Sequence, residues 1–245
     1  MASCQLLPWD TAFFGLTIGR LEANEFRATD VPYVLDWCRR ERVDCLYFLA
    51  DIEDAEAIRT AESAAFRLVD VRVMCEGRLA EHPPRTAADP AVRPYAATDL
   101  ASLRPIAREA FVGQTRFFTD PNIPRDRAID LYDTWIVRSC EGAADRVLVA
   151  EVNGTVGGFI TCHLDSGLTG RIGLTAVAGS QQGSGLGLQL VESAAEWFRA
   201  EGASTVSVVT QGRNIRAQRL YQRCGLRTRS IHLWFHYWPK GNASS

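Results

Sequence analysis

A glycine-rich segment, residues 182–187 with the sequence QGSGLG, is the part of this chain best suited to chemistry. It follows an apolar, strand-like segment and precedes an amphipathic one, which predicts a turn from a strand into a helix. The first turn of a helix has backbone N–H groups without partners and carries partial positive charge, and glycines let an anion approach the main chain. The segment therefore predicts a phosphate-binding site.

Two common phosphate-binding motifs do not match this segment. A P-loop ends in Lys followed by Ser or Thr, whereas Gly187 is followed by Leu188 and Gln189. A dinucleotide fold spaces its glycines as G-x-G-x-x-G, and here the spacing is one residue short. The next predicted strand ends VTQ at residues 209–211, without the acid that binds a ribose. A tight turn with no ligand remains the structural alternative.

A tyrosine and an asparagine downstream supply groups suited to acyl transfer. Residues 214–226 follow the pattern N-x-x-A-x-x-L-Y-x-x-x-G-L. Aminolysis of a thioester expels a thiolate whose conjugate thiol has a pKa of about 8.5, while a phenol, with a pKa of about 10, stays protonated at neutral pH. Tyr221 could therefore donate a proton to the leaving sulfur. Taken singly, Asn214 also fits a helix N-cap and Tyr221 a core aromatic.

Alternating strands and helices must position these motifs. The predicted strands are residues 13–21, 45–50, 66–75, 147–152, 156–163, 171–177, 204–211 and 230–238. The predicted helices are residues 31–42, 54–65, 100–110 with Asp99 as its cap, 127–140, 186–198 and 214–224, with a loop at 114–124. Asn153-Gly154 predicts a two-residue hairpin. From residue 147 the order is β-β-β-α-β-α-β, which indicates a mixed α/β fold.

A break in this pattern divides the chain. Residues 81–90, EHPPRTAADP, hold three prolines and no apolar periodicity, which predicts a linker. We therefore expect a small α/β N-terminal lobe over residues 1–80 and a second domain over residues 91–245.

Composition restricts the class of partner and the compartment. The chain has 245 residues, 47% of them hydrophobic, a net charge of -2 and Lys240 as its single lysine. No excess positive charge is available for nucleic acid or anionic lipid. The seven cysteines are scattered without C-x-x-C spacing, so neither a metal site nor a disulfide framework is expected. With no signal peptide or long apolar run, a cytoplasmic protein is expected.

The glycine segment resembles the Q/R-x-x-G-x-G/A signature of the GCN5-related N-acetyltransferase (GNAT) superfamily, with Gln182, Gly185 and Gly187 in the defining places. The resemblance implies a GNAT fold, acetyl-CoA as co-substrate without a metal, a strand that binds the pantetheine arm, and Tyr221 as proton donor. The coenzyme contacts that it implies are Leu174, Thr175, Ala176, Val177, Gln182, Gly183, Ser184, Gly185, Leu186, Gly187 and Asn214.

A narrower resemblance concerns the acceptor. Several motifs are similar to those of the TDP-fucosamine acetyltransferases: residues 9–15 (WDTAFFG), Arg116-Phe117, the later Tyr132 and Trp135, and Thr210-Gln211 before Asn214. That family implies a truncated GNAT-like N-terminal part, and acetylation of an amine on a nucleotide-linked amino-deoxysugar. The expected substrate contacts are Trp9, Phe13, Phe14, Arg116, Phe117 and Tyr132. The three N-terminal aromatics also fit a core, and Arg116 fits either a surface salt bridge or the substrate's diphosphate.

Direct attack of the amine is expected, because no cysteine lies in a motif typical of a nucleophile. Glu109, His163 or an ordered water could serve as the base. Two other functions stay open: acetylation of a different small-molecule amine or a peptide N-terminus, and acyl-CoA sensing without turnover. The oligomeric state is open between a monomer and a homodimer.

Overall fold

A computed structural model describes residues 2–22, 25–81, 92–165 and 168–239. The chain packs as two compact units made of interleaved segments. The first unit contains Met1–Arg72, Gly113–Ala128 and Ile231–Ser245, and the second contains Val73–Val112 and Ile129–Ser230. Residues 82–90 of the predicted linker lie outside the described residues, and the division into 1–80, 81–90 and 91–245 stays a prediction.

Eight α-helices and ten strands occur within the described ranges. The helices are α1 (Pro8–Phe14), α2 (Val31–Arg40), α3 (Ala55–Ser63), α4 (Leu100–Ala110), α5 (Arg116–Thr119), α6 (Arg125–Arg138), α7 (Leu186–Ala200) and α8 (Ile215–Arg223). The strands are β1 (Ser3–Leu6), β2 (Ile18–Glu22), β3 (Cys45–Asp51), β4 (Arg67–Arg78), β5 (Val92–Pro94), β6 (Arg146–Val152), β7 (Thr155–Asp165), β8 (Thr169–Val177), β9 (Thr205–Gln211) and β10 (Arg227–Tyr237). None of these helices is both long enough and apolar enough to cross a bilayer.

The first unit is built on a mixed sheet with the strand order β1-β2-β3-β10. Strands β2 and β3 run parallel, while β1 and β10 are antiparallel to their neighbours. Side chains from β3, β10, α2 and α3 enclose an aromatic core that includes Phe26, Phe48, Phe66 and Phe235. Because β3 is buried along almost its whole length, it reads as a continuous apolar run rather than an alternating one.

The second unit has the strand order β9-β8-β7-β6-β5. Strands β5 to β8 are antiparallel, and β8 pairs with β9 in parallel. Asn153 and Gly154 both have positive φ, 50° and 76°, which confirms the predicted two-residue hairpin. Helix α7 buries an apolar stripe that includes Leu190 and Phe198. Both units therefore confirm the predicted mixed α/β class.

Three local predictions are wrong. Residues 13–21 are not one strand, because Pro8 begins a helix and Gly15, with φ of 68°, ends it before β2. Asp99 precedes α4 but does not cap it; its carboxylate accepts the Ala96 N–H and pairs with Arg93. The predicted loop at 114–124 contains the short helix α5. At residues 13–21 the limits set by Pro8 and Gly15 outweigh the apolar pattern.

Gly170→Ala is expected to destabilise the second unit. A methyl group at Gly170 would lie 2.4 Å from ring carbons of Phe198, which is fully buried. Overpacking of this kind costs about 1–3 kcal/mol in the free energy of unfolding, measurable by urea denaturation. Gly179→Ala is the matched control, because its methyl group would meet nothing within 4 Å. Equal stability of the two variants would contradict the expectation.

Candidate active site

The glycine segment forms a strand-to-helix turn with exposed backbone donors. A short 3-10 turn at Gly179–Gln181 follows β8, and α7 begins at Leu186. Gly183 and Gly185 adopt left-handed φ values of 90° and 94°, which other residues reach only at a cost. Within the described part of the chain, the N–H groups of residues 183 and 185–187 donate to no protein acceptor. The turn therefore has the free donors of an anion site.

A cleft of about 660 Å³ opens beside this turn. It contains most of the residues predicted to bind the coenzyme, together with the predicted proton donor. These are Thr175, Ala176, Val177, Gln182, Gly183, Gly185, Leu186, Gly187, Asn214 and Tyr221. The other two predicted contacts have different surroundings: Leu174 packs beside the hydrophobic core, and the Ser184 hydroxyl donates to the carbonyl of Gln181 at 2.6 Å.

Strand β8 separates from β9 along one wall of the cleft. The parallel pairing stops at Ile172 with Val208, while pairing with β7 continues to Val177. Thr161 lies opposite a bulge, and its hydroxyl accepts the N–H of Leu174 at 2.8 Å. Residues 173–177, the free edge of β8, therefore have no strand partner on the β9 side among the described residues. Such an edge can pair with a ligand rich in amide groups.

Tyr221 on α8 is 5% exposed and lines the same cleft. Burial raises the pKa of its phenol to about 12, and the nearby Thr175 hydroxyl opposes the rise only in part. Thr175 Oγ1 is itself buried without a well-formed hydrogen bond. The phenol is therefore protonated at neutral pH and can act as an acid.

Asn214 and Gln182 form hydrogen bonds within and between the elements that line the cleft. Asn214 Oδ1 accepts the N–H of Ala217 at 3.1 Å and caps α8, which confirms the structural interpretation of this residue while leaving it in the cleft wall. Gln182 accepts a hydrogen bond from Arg216 and donates to the carbonyl of Val177 at 3.4 Å. Gln182 thus connects the end of β8, the glycine turn and α8.

The cations of this cleft were not predicted from the sequence. Arg216 and Arg219, one helical turn apart on α8, line it together with the glycine turn. Both are exposed and suited to phosphate contacts. Their spacing after Asn214 was visible in the sequence, but arginine supplies nearly all the basic residues of this chain.

Arg216→Gln is expected to weaken coenzyme A binding. The loss should be roughly fivefold, about 1 kcal/mol, the scale of one exposed charge contact, and it should shrink as salt is added. Calorimetry at two ionic strengths measures both effects. Arg213→Gln removes the same charge from an exposed residue that precedes α8 and serves as the control. Equal losses in both variants would show a general charge effect instead of a contact.

The structure places the two candidate bases differently. Glu109 is exposed near the end of α4. His163 is half-buried on β7, and a side chain on Gly173 would meet its Nε2 at 2.6 Å, so the imidazole covers the first residue of the free edge. Burial lowers the pKa of His163, and the positive charge of Arg171 adds to this. His163 is therefore neutral at pH 7 and able to accept a proton.

The predicted substrate aromatics fall into both units. In the first unit, Trp9 stacks on Phe13 with ring centres 5.1 Å apart, and Phe14 stacks on Phe117 at 5.6 Å. Phe14 and Phe117 are buried, which favours a core role, whereas Trp9 and Phe13 are half-buried. In the second unit, Tyr132 is buried and stacks on Phe111 at 4.4 Å.

Arg116 belongs to a polar network in the first unit that the sequence did not reveal. Its Nη1 lies 3.0 Å from His236 Nε2, and His236 Nδ1 lies 2.5 Å from Asp120 Oδ2. Cys45 completes a buried group whose possible ligand atoms lie within 4.8 Å of one another. The direct hydrogen bond between His236 and Asp120, and the guanidinium on the other ring nitrogen, describe a hydrogen-bond network better than a metal site.

Comparison with known proteins places these features in context. The family described as Acetyltransferase (GNAT) matches residues 102–226. Over 238 residues the chain is 27% identical to dTDP-fucosamine acetyltransferase of Escherichia coli O6:H1, covering 96% of this chain and 98% of that protein. It is 30% identical over 148 residues to spore coat polysaccharide biosynthesis protein SpsD of Bacillus subtilis, covering 58% of this chain and 48% of that protein. The chain thus matches about half the length of SpsD.

A solved structure shows the same fold. The GCN5-related N-acetyltransferase from Sphaerobacter thermophilus superposes with a TM-score of 0.72 at 16% identity, over 100% of this chain and 78% of that one. At that identity the likeness concerns the fold alone. It confirms the GNAT fold that the glycine segment predicts.

Proposed function

Because this chain belongs to the GNAT acetyltransferase family, we propose that it transfers the acetyl group of acetyl-CoA to the amine of a nucleotide-linked amino-deoxysugar. One observation carries the proposal for the reaction: the free donors of the glycine turn, the free edge of β8 and the phenol of Tyr221 meet in one cleft. The similarity to dTDP-fucosamine acetyltransferase over 96% of the chain supports the acceptor.

The cleft residues fit the parts of acetyl-CoA. The phosphates would lie against the N–H groups of residues 183 and 185–187, with Arg216 and Arg219 nearby. The pantetheine arm carries two amides, which match the unpaired groups of the free edge. The thioester would then lie near Tyr221, because this residue lines the same cleft as Thr175 on that edge.

The proposed chemistry is direct aminolysis. The neutral amine attacks the thioester carbonyl carbon, a C–N bond forms, and the amine proton passes to a base, for which we favour His163. The C–S bond then breaks, and the thiolate takes the phenol proton of Tyr221. Solvent later returns a proton to the phenolate. Burial raises the pKa of Cys224 to about 12 and that of Cys75 above its usual value, so neither thiol is a ready nucleophile.

A thiol-release assay with acetyl-CoA and a panel of acceptors tests the proposal. The panel contains dTDP- and UDP-linked amino-deoxysugars, polyamines, amino acids and short peptides. We expect release of CoA with a nucleotide-linked amino sugar and N-acetylation of that compound by mass spectrometry. Turnover confined to polyamines, amino acids or peptides would assign a different acceptor. Tight acetyl-CoA binding without turnover on any member would favour a sensor.

A further inference from the structure

We propose that Arg116 is the residue that binds the acceptor's diphosphate, and that Asp120 positions it through His236. This inference rests on the proposed function for the identity of the ligand, a nucleoside diphosphate. Arg116, His236, Asp120 and the rings around them all belong to the first unit. Their proposed roles are binding and positioning, not a step of the acyl transfer.

Arg116 differs from Arg104 and Arg93 in having a neutral side-chain partner. Arg104 forms a two-pronged ion pair with Asp133, at 2.9 and 2.7 Å. Arg93 pairs with Asp99 in the same manner, at 2.7 and 2.9 Å. Among the described residues, Arg116 has no carboxylate within ion-pair distance, and its hydrogen bond goes to His236. No carboxylate therefore occupies its donors directly, and they are available to an anion.

Three aromatic rings hold the guanidinium in place. Its Cζ lies 4.1 Å from the ring centres of both Tyr47 and Phe117, and 4.4 Å from that of Trp234. Such packing fixes the plane of the group and limits its rotamers. Only Nη1 has a hydrogen-bond acceptor that meets ordinary geometry, and none of its nitrogens is buried without a partner. The remaining N–H groups thus face accessible space in a fixed orientation.

The Asp120–His236 pair determines which way the imidazole points its proton. His236 is fully buried, and burial lowers its pKa to about 4, so the ring is neutral at pH 7. Asp120 accepts from Nδ1–H at 2.5 Å, and Trp238 Nε1 and the N–H of Asn122 also donate to this carboxylate. Nε2 is then left as an acceptor, which suits the Arg116 donor 3.0 Å away.

A phosphate-type anion fits this arrangement better than other ligands. A planar guanidinium with free, fixed donors binds phosphate oxygens in a two-pronged manner. One carboxyl works against the anion: Asp10 on α1 feels the charge of Arg116 without forming an ion pair with it, and burial raises its pKa while Arg116 lowers it. Removing this negative charge should strengthen binding of the anion, whereas removing Arg116 should weaken it.

Calorimetry on the full chain tests the binding role. Inorganic pyrophosphate and dTDP are titrated with saturating coenzyme A present, which occupies the glycine turn, and coenzyme A is titrated separately. We expect Arg116→Gln to raise the Kd of pyrophosphate and dTDP by about tenfold or more, the scale of one charge-assisted contact, and to leave coenzyme A binding unchanged. Arg20→Gln is the matched control, because Arg20 lies 6.0 Å from the Trp234 ring but pairs with Glu22. Asp10→Asn should tighten pyrophosphate binding.

Arg116→Lys is a second variant that distinguishes a lost contact from misfolding. It keeps the charge and should retain part of the pyrophosphate affinity, so graded losses across Lys and Gln indicate a contact. Unchanged pyrophosphate and dTDP affinities in both variants would overturn the proposal. So would weakening of coenzyme A alone, because the anion contacted would then be the coenzyme's phosphates.

Asp120→Asn tests the positioning role. The new amide can donate to Nδ1, which would move the ring proton to Nε2. Nε2–H would then face the Arg116 N–H, so that two donors oppose each other. We expect weaker dTDP binding, a higher KM for the nucleotide-linked acceptor and little change in kcat. The chain has four histidines, so ¹⁵N NMR can follow the tautomer of His236. An unchanged tautomer, or a fall in kcat alone, would remove the positioning role.

Calorimetry with dTDP and the acetylation assay together distinguish failure of this inference from failure of the proposed function. Wild-type protein that binds dTDP through Arg116 but acetylates no nucleotide-linked amine would keep the anion site and remove the acceptor assignment. Acetylation of such an amine with an unchanged KM in Arg116→Gln would keep the function and remove the anion site.

Discussion

Tyr221→Phe is expected to lower kcat by about 10²–10⁴-fold, the usual contribution of a positioned general acid, while acetyl-CoA affinity stays nearly constant. The phenol lies in the cleft and is protonated at neutral pH, so its loss removes the proposed proton donor to the thiolate and little else. Stability should change slightly, because Thr175 Oγ1 forms no well-formed hydrogen bond that the substitution would break. Steady-state kinetics and calorimetry measure the two quantities.

Tyr95→Phe provides the control for that variant. It removes a hydroxyl from a half-buried tyrosine of the same unit that does not line the cleft. It should leave kcat unchanged. Equal turnover of Tyr221→Phe and wild-type protein would remove the proton-donor role and point to water as the acid.

The pH dependence of kcat should reflect the raised pKa of Tyr221. The folded pKa of Tyr221, about 12, lies above the ordinary value of about 10. The protonated phenol therefore contributes fully to stability and activity below pH of about 10, and this contribution is lost only as the pH rises toward 12. Between pH 6 and about 9, kcat should rise or level as groups that must lose a proton do so. A falling limb between pH 6 and about 9 that disappears in Tyr221→Phe would show that the pKa of Tyr221 is lowered instead of raised.

Gly185→Val is expected to weaken acetyl-CoA binding by about tenfold or more. Gly185 has a φ of 94° immediately before α7, and a residue with a side chain pays about 1–2 kcal/mol to remain in such a conformation. If the turn relaxes instead, the N–H groups of residues 185–187 lose their common direction. This loss of direction lowers affinity, and calorimetry with acetyl-CoA measures it.

Variants of two further glycines show whether the loss of affinity is specific to the glycine turn or comes from backbone strain in general. Gly179→Val makes the same change in the same loop, but at a position without positive φ and with open space around it. Gly142→Val imposes similar strain, at φ of 103°, in a turn of the second unit that does not line the cleft. Both should bind acetyl-CoA like the wild type. Retained affinity in Gly185→Val would remove the glycine turn from the coenzyme site.

Most of the second unit was predictable because its signals are local. Asn153-Gly154 defines a hairpin through its backbone preferences, and the stripe of α7 and the cap at Asn214 each depend on a few adjacent residues. The start of the first unit was mispredicted for a related reason. The aromatic run at residues 13–14 suggested a strand, while Pro8 and Gly15 set the limits of a helix.

The candidate sites divide in the same way. Tyr221 and the glycine turn belong to continuous motifs, so the sequence could predict both. His236, Asp120 and Tyr47 come from three distant segments, and nothing in the spacing of these residues indicates that they meet. Arg116 was predicted as a substrate contact, but its neutral partner follows from tertiary packing alone. Pairwise contacts over such separations are beyond single-sequence patterns.

The separation of β8 from β9 has a consequence for the unliganded protein. The free edge at residues 173–177 leaves the sheet one strand short there, and a ligand that pairs with this edge completes the hydrogen-bonded ladder. Ligand occupancy and folding stability are then linked: at a concentration 100 times its Kd, a ligand adds about 2.7 kcal/mol to the free energy of unfolding. CoA left after the reaction keeps the same pantetheine amides as acetyl-CoA. Free CoA should therefore stabilise the fold nearly as well as acetyl-CoA does. CoA that has not yet dissociated should compete with the next acetyl-CoA for the site.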